Sequence, residues 1–150
     1  MAGFVIRRLG PGDESVLRVL ADDDEDFDLA ERPSRTPLAA EHAAAYLSDP
    51  SVLHWVAEED GRVIGHLLCY VERRRVDDPR QLLLYEIGVR SAERRRGVGA
   101  ALVHAMRAWM AQEAVREAWV VADPEAEPFY AACGFLRDEE QTVQMTLTAS

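Results

Sequence analysis

Apolar and polar positions change their spacing several times along the chain, and each change marks an element. Phe4-Val5-Ile6-Arg7-Arg8-Leu9 alternates with the period of a strand. Gly10-Pro11-Gly12 breaks it, and Asp13 stands where it can cap a helix through about residue 21, with Val16, Leu17 and Leu20 on one face. The stretch from Ala21 to Glu31, followed by Pro33 and Pro37, loses the helical period and reads as an irregular loop. A second helix is expected from Pro37 to Leu47, with Ser34 or Thr36 near its start, and Ser48-Asp49-Pro50-Ser51 ends it. Val52 to Glu58 is a strand, Asp60-Gly61 a hairpin turn, and Arg62 to Glu72 the returning strand. After a polar arm from Arg73 to Arg80, Leu82 to Val89 is almost continuously apolar, as a central strand is. Arg94 to Ala100 is a basic glycine turn that opens a long helix reaching about Glu113. A short buried strand, Ala118 to Ala122, and a short helix from Asp123-Pro124 through Ala132 follow, and Gly134 ends that helix. One more short strand is expected near Phe135-Leu136, and Gln141 to Leu147 alternates as a last one. The order is βααβββαβαβ, with no repeat or linker, and residues 1–150 read as one domain.

Composition narrows the function classes. The 150 residues carry 27 acidic and 17 basic side chains, a net charge of −10. A chain of this sign repels nucleic acid and anionic membranes at long range and favours a cationic partner. Every basic residue is arginine, so no lysine is present to act as nucleophile, Schiff-base former or phosphate ligand. Cys69 and Cys133 form no CxxC pair, and His42, His54, His66 and His104 make no zinc pattern, so free thiols in a reducing cytosol and no metal are expected. The start of the chain has neither a basic region nor an apolar run of signal type, and no segment approaches the length of a membrane span; a cytoplasmic protein is expected.

The segment from Glu86 to Leu102 carries the chemistry. It reads as a buried strand, a short loop, and a glycine turn into a helix. Gly97 and Gly99 expose backbone amides, the helix start adds partial positive charge, and Arg94, Arg95 and Arg96 add full charge in an otherwise acidic chain. These features suit a pyrophosphate cradle, although a solvated basic turn has the same composition. A Walker turn is excluded because GK[ST] is absent, and the dinucleotide fingerprint lacks its third glycine, where Leu102 stands.

Arg94-x-x-Gly97-x-Gly99, placed between a central strand and a long helix, resembles motif A of the GNAT N-acetyltransferase superfamily. Pro128-Phe129-Tyr130-Ala131-Ala132-Cys133-Gly134-Phe135 resembles its late FYxxxGF motif. Arg8-Leu9-Gly10-Pro11, Tyr46-Leu47, the arm from Tyr70-Val71 to Pro79-Arg80, Tyr85-Glu86-Ile87-Gly88-Val89 and Ala122-Asp123 are similar to the type I aminoglycoside 3-N-acetyltransferases over nearly the whole chain. Two departures stand out: Glu86 replaces the group's usual aspartate, and the acidic loop is compressed to Pro124-Glu125-Ala126-Glu127-Pro128. The resemblance implies an α/β (α+β) fold with a mixed, mostly antiparallel sheet of six to seven strands. About four helices would flank it, and the sheet would splay at the acetyl-CoA strand. It also implies acetyl-CoA as co-substrate, direct attack on the thioester rather than a Cys133 relay, and a homodimer with the last strand as interface. Ile87, Gly88 and Val89 would then hold the pantetheine arm, with an amide of Ile87 or Val89 polarising the thioester carbonyl. Arg94, Arg95, Arg96, Gly97, Val98, Gly99 and Ala100 would hold the pyrophosphate, and Tyr130 would protonate the leaving thiolate.

Glu86 is the candidate base. A carboxylate inside an apolar strand costs free energy unless it is paired or functional, so an internal ion pair with an arginine such as Arg80 competes with a catalytic role. Tyr130 is a candidate acid or simply a core aromatic. Seven acids lie between Asp22 and Glu31, where this superfamily builds its acceptor wall. Asp26 and Asp28 flank Phe27, while Asp123, Glu125 and Glu127 approach from the other side; together they suit a polycationic acceptor, or else form a solvated face. The expected function is transfer of acetyl from acetyl-CoA to the 3-amino group of an aminoglycoside. The alternatives are a polyamine or other small cationic acceptor, or a non-catalytic acyl-CoA-binding regulatory domain.

Overall fold

A computed structural model of the chain describes residues 3–27, 35–140 and 143–149. Five strands form one sheet in the order β1 (Val5–Arg8), β2 (Val52–Glu59), β3 (Arg62–Arg73), β4 (Arg80–Val89) and β5 (Ala118–Trp119). All neighbours are antiparallel except β4 and β5, which run parallel. The β2–β3 hairpin closes at Asp60-Gly61, both in left-handed conformation (φ 51° and 75°), as a two-residue turn of this type requires.

Two layers cover the sheet. Helix α4 (Val98–Glu113) lies on one face and buries Val98, Leu102, Val103 and Met106 against Leu53, Ile64, Leu67, Leu82 and Leu84. On the other face α1 (Glu14–Asp22), the single turn α2 (Asp24–Phe27) and α3 (Ala40–Ser48) pack Leu20, Phe27 and Leu47 over Leu9, Val56 and Val63. Helix α5 (Glu127–Ala132) follows a 3-10 turn and adds Tyr130 to the α4 side.

Two bulges set which residues face which layer. In the β2–β3 ladder, Ala57 pairs with Gly65 and Glu58 with Val63, leaving Ile64 as the extra residue. In the β3–β4 ladder, Leu68 pairs with Glu86 and Cys69 with Leu84, leaving Tyr85 extra. Leu82 and Leu84 before the second bulge, and Ile87 and Val89 after it, therefore all face α4, while Glu86 and Gly88 face the α1–α3 layer.

Several expected elements differ. Residues 143–149 form no strand: Val143, Met145 and Leu147 are 82%, 88% and 97% exposed, while Gln141 and Thr142 lie outside the described residues. Alternation makes a strand only where an edge accepts it. Phe135-Leu136 is not a strand either, because Phe135 N–H donates to Tyr130 C=O at 3.0 Å to close α5. The buried strand expected from Ala118 to Ala122 is only Ala118–Trp119, with Val121 exposed. The sheet among the described residues thus has five strands rather than six or seven. Helix α3 starts at Ala40 rather than Pro37, without a Thr36 cap, and Ser34 lies outside the described residues. The Asp13 carboxylate does not cap α1. It accepts from Arg7 (2.9 and 3.0 Å) and from Gly10 N–H (2.8 Å), tying the end of β1 to the start of the helix.

Candidate active site

Strand β4 pairs with β5 only at Leu82 and Leu83, then continues to Val89 while β5 stops at Trp119. One edge of β4 from Tyr85 onward is thus open among the described residues. Arg90 N–H donates to Ile64 C=O on β3 at 2.9 Å. By the two-residue period of a strand, the N–H groups of Ile87 and Val89 then point to the opposite, open edge.

This edge leads into the glycine turn. Arg94 folds back, its Nε donating to Val89 C=O at 3.2 Å. Arg95 is left-handed (φ 65°), as is Gly97 (φ 82°), which is the N-cap of α4. A side chain at a positive φ costs about 1–3 kcal/mol, and alternating hand in successive residues turns their N–H groups into one concavity. The first N–H to bond within the helix is that of Ala101, donating to Gly97 C=O at 3.0 Å, so the amides of Val98, Gly99 and Ala100 face the same mouth. A β-carbon on Gly97 would meet nothing within 4 Å, so it is the backbone conformation that demands glycine there. Gly99 differs: a β-carbon would lie 3.0 Å from the Phe129 ring. Its smallness seats α5, and with it Tyr130, against the turn. Donors, positive charge and an open strand edge together fit a pyrophosphate with an extended amide-bearing arm. Arg96 stands apart from this cradle. Its guanidinium makes a bidentate pair with Glu59 at 2.8 Å and a further pair with Glu93.

The Tyr130 ring is buried against Phe129 and Phe135 (centroids 5.3 and 5.4 Å apart). Burial, followed by the Asp123 charge, pushes its phenol up to about 12, so it carries its proton at neutral pH. Cys69 is buried with its thiol, a donor to Met106 Sδ at 3.5 Å, pushed up to about 12 by burial. Cys133 is half-buried and its thiol is also raised by burial. Neither has the features of an activated nucleophile.

On the opposite face, Glu86 meets Arg35 (Nη1 to Oε1, 3.0 Å). The ion pair is real, but its partner is Arg35 and not Arg80, which binds Glu113 and stacks over Trp109. Arg35 Nε also lies 3.5 Å from Asp24 Oδ2, a buried oxygen without a hydrogen bond. Two carboxylates thus share one guanidinium, and this face of the sheet concentrates negative charge around a cation.

The remaining acids divide. Asp26 accepts from Ser91 Oγ (2.5 Å), Ser91 N–H (3.3 Å) and Arg90 (3.2 Å), which hold its carboxyl below the usual range, the Ser91 hydroxyl most of all. It braces the loop after β4 instead of lining an acceptor wall beside Phe27, whose ring is buried. Asp28 lies outside the described residues. Glu127 is held by Arg137 in a bidentate pair (2.8 and 2.5 Å), whereas Asp123 and Glu125 are exposed at the mouth of α5. Gly88 pairs with His66 on β3 and lies under α2. A β-carbon there would lie 2.5 Å from Phe27 C=O, so it is the seat of α2 on β4. Asp24, Arg35, Tyr46, His54, His66 and Arg90 all belong to this region and have no local sequence signature. Among the described residues no cluster of acids, histidines or cysteines could hold a metal ion, and no helix is long and apolar enough to cross a membrane.

Comparison with known proteins agrees with this geometry. No curated protein matches by sequence. Among solved structures, an aminoglycoside acetyltransferase from an uncultured soil metagenomic sample, in complex with trehalose, superposes with a TM-score of 0.81 at 23% identity, over 99% of this chain and 97% of that one. The sisomicin complex gives 0.79 at 22% over the same shares. The aminoglycoside N-acetyltransferase AAC(6′)-Iy in complex with CoA gives 0.75 at 21%, over 95% and 94%. The profile of the acetyltransferase (GNAT) family matches residues 16–135. The open edge of β4, the left-handed turn ahead of α4 and this match over most of the chain place the protein in the GNAT acetyltransferase family.

Proposed function

We propose that this acetyltransferase moves acetyl from acetyl-CoA to an aminoglycoside, at the 3-amino group of the deoxystreptamine ring. The observation that carries the reading is β4 itself. Its open edge runs into the anion cradle, while Glu86 on the same strand faces a cation pocket. When bound, acetyl-CoA supplies an acyl group activated as a thioester. Arg94 and Arg95 with the amides of Gly97, Val98, Gly99 and Ala100 hold its pyrophosphate, and the N–H of Val89 or Ile87 polarises the carbonyl. Asp24 and Glu86 orient an acceptor ammonium in the place Arg35 takes here. Asp123 and Glu125 face further amino groups, and the net charge of −10 draws a polycation in. Tyr130 supplies a proton to the departing sulfur.

A thiol-release assay with gentamicin, sisomicin and fortimicin-type acceptors against spermidine tests the reading. Turnover with the aminoglycosides and an N3-acetylated product by NMR is the expected result. Turnover with spermidine alone transfers the site to polyamines, and CoA binding without turnover of any amine makes the chain a binding module. Tyr130→Phe is expected to lower kcat about 100-fold with an unchanged melting temperature. A fully active variant leaves Tyr130 a packing residue.

A further inference from the structure

The bulge in β4 sets two consecutive side chains on one face of the sheet, which a regular strand does not do. Leu84 points to α4, and Glu86, paired with Leu68, points to the α1–α3 layer. The extra residue between them, Tyr85, turns the same way as Glu86. Its ring stands edge-on to that of Tyr70 on β3, with centroids 5.3 Å apart and planes at 61°. Tyr70 lies two residues beyond Leu68 on a strand whose Leu67, Cys69 and Val71 face α4, so the Tyr70 ring is on the Glu86 face as well. A carboxylate and an aromatic ring thus stand side by side, neighbours along the backbone, with a second ring behind the first.

Tyr85 is 58% exposed, the most exposed aromatic side chain among the described residues. A single exposed ring is ordinary on a protein surface. This one is steadied by Tyr70 and sits next to Glu86, and a carboxylate beside an aromatic face is a pairing that favours an organic cation. The two groups make different demands on a ligand. Glu86 takes an ammonium group. The electron-rich face of Tyr85 takes C–H hydrogens that carry partial positive charge, and ammonium substituents on a saturated ring increase that charge. Consecutive Cα atoms are about 3.8 Å apart, so an amine borne on a six-membered ring reaches Glu86 while its own ring rests on Tyr85. A linear polyamine offers the charge but no ring face.

We propose that Tyr85, steadied by Tyr70, is an aromatic subsite for the ring that bears the reacting amine, and that it selects ring-borne amines over linear polyamines. The inference rests on the aminoglycoside reading and adds to it a residue that sets the acceptor class. Tyr85 touches the acceptor and moves no proton. Its contact is the same before and during the reaction, so it acts on acceptor affinity and leaves kcat alone. Glu86 keeps the task of holding the ammonium.

The test is calorimetric titration of sisomicin and of spermidine into wild type, Tyr85→Phe and Tyr85→Leu, each with CoA present. Phenylalanine keeps the ring face, and leucine keeps apolar bulk without it. Tyr85→Phe is expected to bind sisomicin within about twofold of wild type, and Tyr85→Leu about 5- to 30-fold more weakly, while spermidine changes by less than about twofold in both. In the wild-type complex the NMR signals of sisomicin ring protons are expected to move upfield, and the shift to vanish in Tyr85→Leu. Because the side chain is exposed, both variants are expected to fold as wild type does. Unchanged sisomicin affinity in Tyr85→Leu, an equal loss for both amines, or a wild type that binds no sisomicin overturns the subsite. Sisomicin that binds with the upfield shift but is not acetylated overturns the aminoglycoside reading and leaves the subsite standing.

Discussion

Glu86→Gln is expected to lower kcat about 100-fold or more while CoA affinity stays within about twofold of wild type. The substitution preserves size, and its amide oxygen still accepts from Arg35, so packing is kept. What it removes is the negative charge that an incoming ammonium needs after displacing that guanidinium. The open edge of β4 and the glycine turn lie on other sides of the strand and are left intact. Steady-state kinetics with sisomicin and calorimetric titration with CoA separate the two effects. Arg35→Ala is the matching control. It frees Glu86 and Asp24, so kcat is kept and KM for the aminoglycoside falls. An unchanged kcat in Glu86→Gln would reduce Glu86 to the ion pair seen with Arg35.

Arg90→Met carries the second large effect, on stability. The Arg90 side chain is 6% exposed. It donates to Val63 C=O (2.6 Å), Asp23 (2.9 Å) and Asp26 (3.2 Å), and its guanidinium lies 4.5 Å from the centre of the Phe27 ring. Methionine fills the volume and makes none of these contacts. Asp23 and Asp26 are 45% and 37% exposed, so water rehydrates them and the ion pairs count for little. The loss is set by the orphaned Val63 carbonyl and the missing cation over Phe27, together about 2–4 kcal/mol. For a chain of this size that lowers the melting temperature by roughly 4–16 °C in a calorimetric scan. A shift under about 2 °C would refute the assignment of Arg90 as the pin of α2. Ser91→Ala removes only the hydroxyl on Asp26 and is expected to cost about 1 kcal/mol.

Local chemistry was readable from the chain and long-range pairing was not. Asp60-Gly61 and Gly97 announce themselves because glycine beside a turn residue has few other uses, and both are found left-handed. The β4 run and the helix after it follow from periods of two and 3.6 residues. The acids between Asp22 and Glu31 look alike in composition, yet Asp24 faces Arg35, close by in the chain, while Asp26 faces Ser91 and Arg90, which three strands separate from it in sequence. Arg35, rather than Arg80, reaches Glu86 because α2 and the chain before α3 cross that face of the sheet. The contact of His54 Nε2 with His66 Nδ1 (3.0 Å) was hidden by Ile64: a bulge shifts facing by one residue and leaves no composition signal. The last strand failed for the opposite reason, since its alternation is plain but β5 is two residues long and gives it no ladder to join.

The extra residue at Tyr85 makes β4 a strand with a phase change. Even-numbered Leu82 and Leu84 and odd-numbered Ile87 and Val89 look at the same helix. A saturation-mutagenesis map of β4 would therefore show its demand for apolar side chains switch parity between 84 and 87. Deleting Tyr85 alone would restore strict alternation and keep Glu86 toward the α1–α3 layer and Ile87 toward α4, whereas ironing the bulge flat with Tyr85 in place would turn Glu86 under α4. It is the bulge, and not the order of residue types, that lets one strand turn apolar side chains to α4 along its whole length and still offer a carboxylate to the other face.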